Sequence, residues 1–270
     1  MDINLTDLDQ SYLAMMLKPE DDRLRLHYYD ALADSELFVL LEREPKASDI
    51  DPKVFALEGG PLVLVFDVEE RLSAFTGAAA PYAALPGRVI ATALVGQGVG
   101  MGINLGVASA MILPPSAVQW LADTLAHQPA QDEGRPKFFH PPQALPAELM
   151  RVLTHKLSRI GALADYALLG DVEYEGGRRG HLLAFVDANQ NAEAALAKTA
   201  TEALTFSGLD AGTLDVTFLA SGDRGLEMLK KVGQRVDWSK PQGPSPKVAP
   251  SAPGSNPKKP PILRQRGRIV

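Results

Sequence analysis

The sequence predicts two small mixed α/β domains, the first α/β and the second α+β, followed by a disordered, basic, proline-rich tail. A length of 270 residues with 46% hydrophobic residues is enough for two cores of ordinary size. Helix and strand patterns fill residues 1–128, stop over a polar, proline-spaced interval, and resume at residue 147. The predicted boundaries are therefore a domain at 1–128, a linker at 129–146, a domain at 147–238 and the tail at 239–270.

The first domain begins with two amphipathic helices. Thr6 and Asp9 have the spacing of a capping box, and they precede a helical pattern that Pro19 ends. Apolar residues at spacings of three and four predict a second helix at 20–33. Beyond it we predict strands at 37–41, 54–57, 62–66 and 102–107, and helices at 68–75, 89–95 and from Pro115 through 125.

The second domain follows a linker whose polar residues at 131–136 predict few contacts with either domain and early cleavage by proteases. The order helix, strand, strand, helix, strand, helix then predicts a small α+β sandwich. Glycines in the segment 176–180 predict a hairpin loop between the first two strands. These elements are predicted at 149–160, 164–174, 181–186, 192–204, 214–219 and 226–236.

Charge is segregated between the tail and the rest of the chain. Residues 239–270 contain seven Lys or Arg and no Asp or Glu, which leaves 20 basic and 33 acidic residues in 1–238, a formal charge of −13. An acidic body is unsuited to nucleic acid, whereas the tail is suited to contact an acidic partner. Eight prolines in the tail disfavour helix and sheet and predict an extended chain.

Composition also indicates the cellular compartment in which the protein is expected. The absence of cysteine excludes disulfides, thiolate metal ligands and cysteine nucleophiles. The first residues lack the basic and apolar regions of a secretory signal, so we expect a cytoplasmic protein. The uncharged run at 89–122 is long enough to span a membrane, but its five glycines and the pair Pro114-Pro115 favour helix, turn, strand and helix. We therefore expect no membrane span.

A resemblance to a known family rests on segments of both predicted domains. In the first domain it is carried by Pro81-Tyr82-Ala83-Ala84-Leu85-Pro86-Gly87-Arg88, by Gly102-Ile103-Asn104-Leu105-Gly106, and by residues 36–40, 64–66, 70–72, 113–115 and 120–121. In the second it is carried by 169–174 and 180–183. In order and spacing these segments resemble the N-terminal and C-terminal domains of the SseB (enhanced serine sensitivity) family. The resemblance implies a fold and a cytoplasmic setting but no catalytic signature, and the long basic tail departs from many members.

Tyr82, Arg88 and Asn104 are the candidate ligand-binding residues, because the glycine-rich region around them is where the sequence suggests a pocket. Arg88 either holds an anionic ligand with its planar guanidinium or pairs within the protein. Asn104 either directs its amide into a cleft or caps a backbone group where the predicted strand ends.

No catalytic residue, metal ligand or cofactor is assigned. Residues 96–102 resemble a dinucleotide-binding fingerprint, but they follow a helix and precede a strand, the reverse of the order that motif requires. The five histidines lack ligand spacing, and Ser109 and Ser116 have no evident base. The pair Glu69-Glu70 suits the positive end of a helix dipole better than paired-acid catalysis.

Two classes of function follow from these observations. With no acid, base or nucleophile assigned, the favoured interpretation is a non-enzymatic cytoplasmic binding or regulatory protein that contacts a protein partner. The alternative is a small-metabolite sensor or enzyme, linked to amino-acid (serine) metabolism as the family name suggests. A rise in melting temperature on adding a metabolite would favour the alternative.

Overall fold

The computed structural model describes residues 5–44, 50–129, 134–143, 147–160, 163–208 and 214–238. These residues form two mixed α/β units, each built on one sheet with helices packed against it, which confirms the predicted fold class. The tail predicted at 239–270 lies outside the described residues, as do positions 130–133 and 144–146 of the predicted linker. Within the described part, no helix is both long and apolar enough to cross a bilayer.

The first unit is a six-stranded sheet with helices on both faces. Its strands are ordered β4-β1-β3-β5-β6, with β2 paired to the first half of β3, and β3 and β5 run parallel while the other pairs are antiparallel. The elements are α1 (Asp7–Leu17), α2 (Asp22–Asp34), β1 (Glu36–Leu40), β2 (Val54–Leu57), β3 (Gly60–Phe66), α3 (Glu69–Thr76), β4 (Tyr82–Pro86), α4 (Gly87–Leu94), β5 (Gly100–Ile103), β6 (Met111–Leu113) and α5 (Pro115–Ala126).

The core of the first unit lies mainly on one face of this sheet. Helices α2, α4 and α5 pack there, and their residues Leu32, Ile90 and Leu121 join Val65 of β3 in one apolar cluster. On the opposite face, Leu72 of α3 packs with Phe66, also from β3. Strand β3 is buried on both faces because it is interior, which agrees with its continuous apolar sequence.

Helix α1 is fixed to the sheet by a buried ionic network. The predicted capping box is confirmed: the Asp9 N–H donates to Thr6 Oγ1 at 3.1 Å, and the Thr6 N–H donates to the Asp9 carboxylate at 3.0 Å. Arg71 of α3 donates to both oxygens of Asp9, at 2.9 and 2.6 Å, and to Asp67 at 2.8 Å. Burial of Asp9 opposes its ionisation, but hydrogen bonds from Arg71 and Ser109 outweigh burial and lower its pKa.

The second unit is a five-stranded sheet with helices on both faces. Its strands are ordered β10-β9-β8-β11, with β7 paired to the second half of β8. Within this sheet β9 and β10 run parallel, and the other described pairs are antiparallel. Helices α6 and α7 cover one face and α8 the other. The elements are β7 (Pro136–His140), α6 (Ala147–Arg159), β8 (Tyr166–Tyr174), β9 (Arg179–Val186), α7 (Glu193–Ser207), β10 (Leu214–Leu219), α8 (Arg224–Leu229) and β11 (Gln234–Val236), with a single 3₁₀ turn at Gln190–Ala192.

Two predicted elements were wrong in extent. The strand predicted at 102–107 is Gly100–Ile103, because the chain turns at Asn104, whose φ of 51° is left-handed. The helix predicted at 226–236 ends at Leu229 and is followed by β11. Gly233 separates the two, with its Cα close enough to β8 that an added Cβ would lie 3.2 Å from the Leu169 oxygen.

Three further strands were not predicted from the sequence. Strands β4 and β6 are short and bordered by prolines, and β7 lies inside the predicted linker at 129–146. The structure places residues 136–140 in the second sheet rather than in a linker. Proline is tolerated at the start of an edge strand, so Pro136 opens β7 without breaking the ladder.

The two units pack against each other through their helices. Helix α2 contacts α7, and Phe206 at the end of α7 belongs to the apolar cluster of the first unit. Phe206 is 1% exposed, so this contact is a continuation of the core across the boundary.

Candidate binding site

A cleft with a volume of about 520 Å³ lies where the two units meet. It is bounded by α1 and α2 of the first unit and by α6 and the end of α7 of the second. Five of its lining residues are buried: Ser11, Asp30, Val152, Phe206 and Ser207. Small-molecule sites occur preferentially in clefts of this size at domain boundaries.

A buried ionic cluster joins the units beside the cleft. The Nζ of Lys156 on α6 lies 2.5 Å from Asp30 Oδ1 and 2.9 Å from Asp34 Oδ2, and both carboxylates belong to α2. The same nitrogen is 3.6 Å from Glu202 Oε2 of α7 and 5.7 Å from the centroid of the Phe206 ring. Lys156 is 3% exposed, so it links the first unit to the second in a site from which water is largely excluded.

The carboxyl groups of this cluster differ in their tendency to bind a proton. Burial raises the pKa of Asp30 to about 6, in spite of the opposing charge of Lys156. Burial acts the same way on Asp34, but Lys156 and Arg88 outweigh it and lower the pKa of that carboxyl. The two carboxylates of α2 likewise outweigh burial at Lys156 and raise its pKa. Lys156 therefore stays charged, and Asp30 is the first of the two aspartates to take up a proton.

Arg88, the first of the sequence-predicted residues, belongs to the same cluster. Its Nη1 and Nη2 each lie 3.1 Å from an oxygen of Glu202, and Nη2 also pairs with Asp34. Of the two interpretations of Arg88, the structure therefore matches pairing within the protein. Arg88 does not line the cleft itself, but its partner Asp34 does.

The other two predicted residues lie in different surroundings. Tyr82 packs edge to face on Phe38, on the sheet face opposite the one that α4 covers. Asn104 is fully buried at the end of β5, where its Oδ1 accepts a hydrogen bond from the Asp67 N–H at 3.1 Å. This contact matches the capping interpretation of Asn104. The structure does not bring Tyr82, Arg88 and Asn104 together, and a ligand at any of them remains a prediction.

One wall of the cleft carries three basic side chains. Arg151, His155 and Arg159 of α6 line it, and all three are exposed. The Nη2 of Arg159 donates to the backbone oxygen of Asp34 at 2.5 Å, which satisfies a carbonyl at the end of α2. The opposite wall carries both signs, with Asp21 and Arg23 paired at 2.8 Å.

Outside the cleft, one histidine has a carboxylate partner. His181 Nδ1 lies 2.7 Å from Asp171 Oδ1 across the β8–β9 ladder, and the second oxygen of Asp171 accepts from the Gln143 N–H at 3.1 Å. Such a pair orients a ring, but no hydroxyl is hydrogen-bonded to it in the described residues. Within those residues, no group of three His, Asp or Glu side chains is arranged to hold a metal ion.

The fold and cleft define a protein of two α/β units with a polar cavity between them. The family model of the SseB protein N-terminal domain matches residues 12–120, so the first unit is similar to that domain. Searches of curated proteins and of solved structures gave no match. The resemblance of residues 147–238 to the SseB C-terminal domain remains a prediction.

Sequence reasoning missed the cleft because its walls come from distant segments. Lys156 is 122 residues from Asp34, and no local pattern relates the two. The spacing of Arg151, His155 and Arg159 was readable as one stripe of a helix. That stripe was the available signal, although only the fold shows what it faces.

Proposed function

We propose that the protein is a non-enzymatic binding protein that holds a small polar molecule in the cleft between its two units. The observation that carries this proposal is the cavity of about 520 Å³ at the boundary of the units. Its volume lies in the usual range for ligand sites, and its lining combines apolar side chains such as Val152 and Leu24 with several charged groups. Apolar surface supplies affinity, and the charged groups supply orientation and specificity.

The same geometry supports a regulatory role. Residues of both units line the cleft, and Asp30 and Asp34 of its wall also bind Lys156 across the boundary. A ligand that contacts both walls binds best in the relative position of the two units that allows both contacts. Its binding energy therefore stabilises that arrangement of the units. Substituting Arg88 is then expected to alter binding indirectly, through Asp34.

Thermal shift with a cavity-filling variant tests the proposal. The full chain is screened against amino acids, keto acids and nucleotides, and a ligand at 100 times its Kd is expected to raise the melting temperature by roughly 5 °C. Ala14→Trp places an indole in the cleft from α1, and Ala93→Trp makes the same change at an exposed position of α4. The shift should vanish in the first variant and persist in the second. A shift that survives Ala14→Trp places the ligand elsewhere.

A protein partner is the second candidate. It is supported by Leu13, Met16 and Leu17 of α1, which are 41%, 55% and 81% exposed. Grouped apolar side chains on one exposed helix are typical of contact surfaces. The basic charge of residues 239–270 supports contact with an acidic partner as well. Charged substitutions at Met16 and Leu17 would weaken such an association while leaving ligand-induced melting shifts unchanged.

We also propose a cytoplasmic location. The support is compositional, since a chain without cysteine has no need of an oxidising compartment. Cell fractionation tests it.

A further inference from the structure

The α6 wall of the cleft presents three basic side chains in one row. Arg151, His155 and Arg159 are four residues apart, and residues at this spacing lie on one face of a helix, about 6 Å apart along its axis. Each pair of neighbours can therefore hold one small group between them. All three side chains are exposed and line the cavity.

The charge of Arg159 is not neutralised by a carboxylate. Its Nη2 donates to the Asp34 carbonyl oxygen, which is a neutral acceptor. In the part of the chain that the structure describes, no Asp or Glu pairs with it. A guanidinium has five N–H donors, so most of those on Arg159 remain for a ligand.

The acidic groups across the cleft are already engaged. Asp21 pairs with Arg23 at 2.8 Å, and Asp30 and Asp34 pair with Lys156 at 2.5 and 2.9 Å. The exception is Asp7, which lies in the first turn of α1, where the helix dipole compensates a negative charge. The carboxylates of this wall therefore compete little for Arg159.

We propose that the cleft takes a small anion, bearing a carboxylate or a phosphate group, and that Arg151, His155 and Arg159 hold that group. This inference rests on the proposed function and adds the ligand class. Guanidinium groups bind planar carboxylates and phosphates with paired hydrogen bonds, which gives geometry as well as charge. The apolar residue Val152 lines the same cavity and offers contact to a short carbon skeleton beside the anionic group.

Isothermal titration of the full chain at constant ionic strength tests the ligand class. The probes are inorganic phosphate, succinate, the diamine putrescine and the neutral polyol erythritol. We expect phosphate, succinate or both to bind, and the diamine and the polyol not to bind. Binding of phosphate alone assigns a phosphorylated ligand, and binding of succinate alone assigns a carboxylate.

Two variants and a control test the residues. Arg159→Gln and Arg151→Gln should each weaken anion binding roughly tenfold, the usual effect of losing a charged hydrogen bond. Arg25→Gln changes an exposed arginine of α2 that pairs with Asp22 outside the cleft, and it should change binding less than about twofold. Arg151→Gln keeps the test valid if loss of the Arg159 contact to Asp34 disturbs folding.

The outcomes separate this inference from the function on which it rests. Anion binding that is equal in Arg151→Gln, Arg159→Gln and the unsubstituted protein overturns the inference. A neutral or cationic compound that stabilises the protein but not Ala14→Trp also overturns it, while the cleft remains the binding site. If no compound of any class gives a shift that Ala14→Trp removes, the proposed function fails as well.

Discussion

At the scale of single residues, Lys156 is a cation buried within a cluster of charged side chains. It is enclosed by Asp30, Asp34 and Glu202, and Arg88 adds a second positive charge to the same group. Three carboxylates face two cations, so one negative charge is in excess when all are ionised. A buried ionic group of this kind contributes little net stability when complete, but it is costly to break because a charge is then left unpaired.

Lys156→Met is therefore expected to destabilise the protein strongly. It leaves Asp30, Asp34 and Glu202 close together without their shared cation, at a cost of about 3–5 kcal/mol in the free energy of unfolding. Urea unfolding at pH 7 measures the loss. Lys230→Met is the matched control, because Lys230 is exposed on the surface beside Glu227 and its substitution should change stability little. Equal effects of the two substitutions would contradict the structural role of Lys156.

Asp30 predicts a pH dependence of stability. Its pKa is raised by burial to about 6 in the folded protein, against 3.8 for an ordinary aspartate. Between these values the folded state binds the proton and the unfolded state does not, so stability falls as the pH rises through about 6. The charged groups that face Asp30 do not titrate in this pH range. The lowered pKa of Asp34 reduces stability only at lower pH, and Lys156 stays charged throughout.

Asp30→Asn tests this assignment. In the unsubstituted protein we expect a gain of about 1 kcal/mol between pH 7 and pH 5 from this group, because the full value of about 3 kcal/mol is reached only below the pKa of the unfolded state. The asparagine variant should lose most of that slope and be the more stable protein at pH 7.5. Chemical unfolding at half-unit steps of pH measures both curves. Parallel curves would show that another group titrates.

Arg88 illustrates how the fold changes the expectation for one residue. As a ligand contact it would be replaceable with little loss of stability, whereas its pairs with Asp34 and Glu202 predict a loss. Its side chain is 34% exposed, so water screens part of the interaction and we expect Arg88→Ala to cost about 1–2 kcal/mol. Thermal unfolding measures it. An unchanged melting temperature with altered ligand binding would return Arg88 to the role inferred from the sequence.

At the scale of elements, local signals determined which parts of the fold were predictable. Helix α1 was predictable because Thr6 and Asp9 form a capping box, and α3 because Gly77 ends it in a left-handed conformation. Strands β4, β6, β7 and β11 were not, because each has at most five residues. In addition, β4, β7 and β11 take their hydrogen bonds from a partner that is distant in the sequence. A short segment beside proline gives the same pattern in a loop and at a sheet edge.

Gly87 sets the approach of two helices in the first unit. It is the first residue of α4, and a Cβ built on it would lie 1.9 Å from the backbone oxygen of Leu32 in α2. Gly87→Ala must therefore move α2 away from α4, at a cost of about 1–3 kcal/mol or more. Gly59→Ala is the control, since an added Cβ there has nothing within 4 Å and the change should be neutral or slightly stabilising. Equal stability of the two variants in urea would show that the helices adjust freely.

At the scale of the whole molecule, the sequence predicted two α/β units but not how they meet. Periodicity in the sequence indicates which face of a helix or strand is apolar. Phe206 fits the apolar face of α7 whether that face packs within the second unit or against the first. Periodicity does not indicate that this face is shared with the first unit. The candidate site has the same origin: Arg151 and Arg159 were visible as residues of one helix, while the wall opposite them belongs to α1 and α2. Contacts between distant segments are a property of the fold and leave no local pattern.

The boundary between the units gives a last prediction. A protease site inserted between Pro129 and Gly134 allows the chain to be cut between β7 and the first unit. The two fragments should still migrate as one species in gel filtration, because Phe206 is 1% exposed in the shared core and Lys156 pairs with carboxylates across the boundary. Raising the salt to about 1 M should not separate them, since buried pairs are screened far less than exposed ones. Lys156→Glu, which adds a fourth carboxylate to the cluster, should release the fragments. Separation without that substitution would mean that the covalent chain alone keeps the units together, and that the cleft between them is not a fixed site.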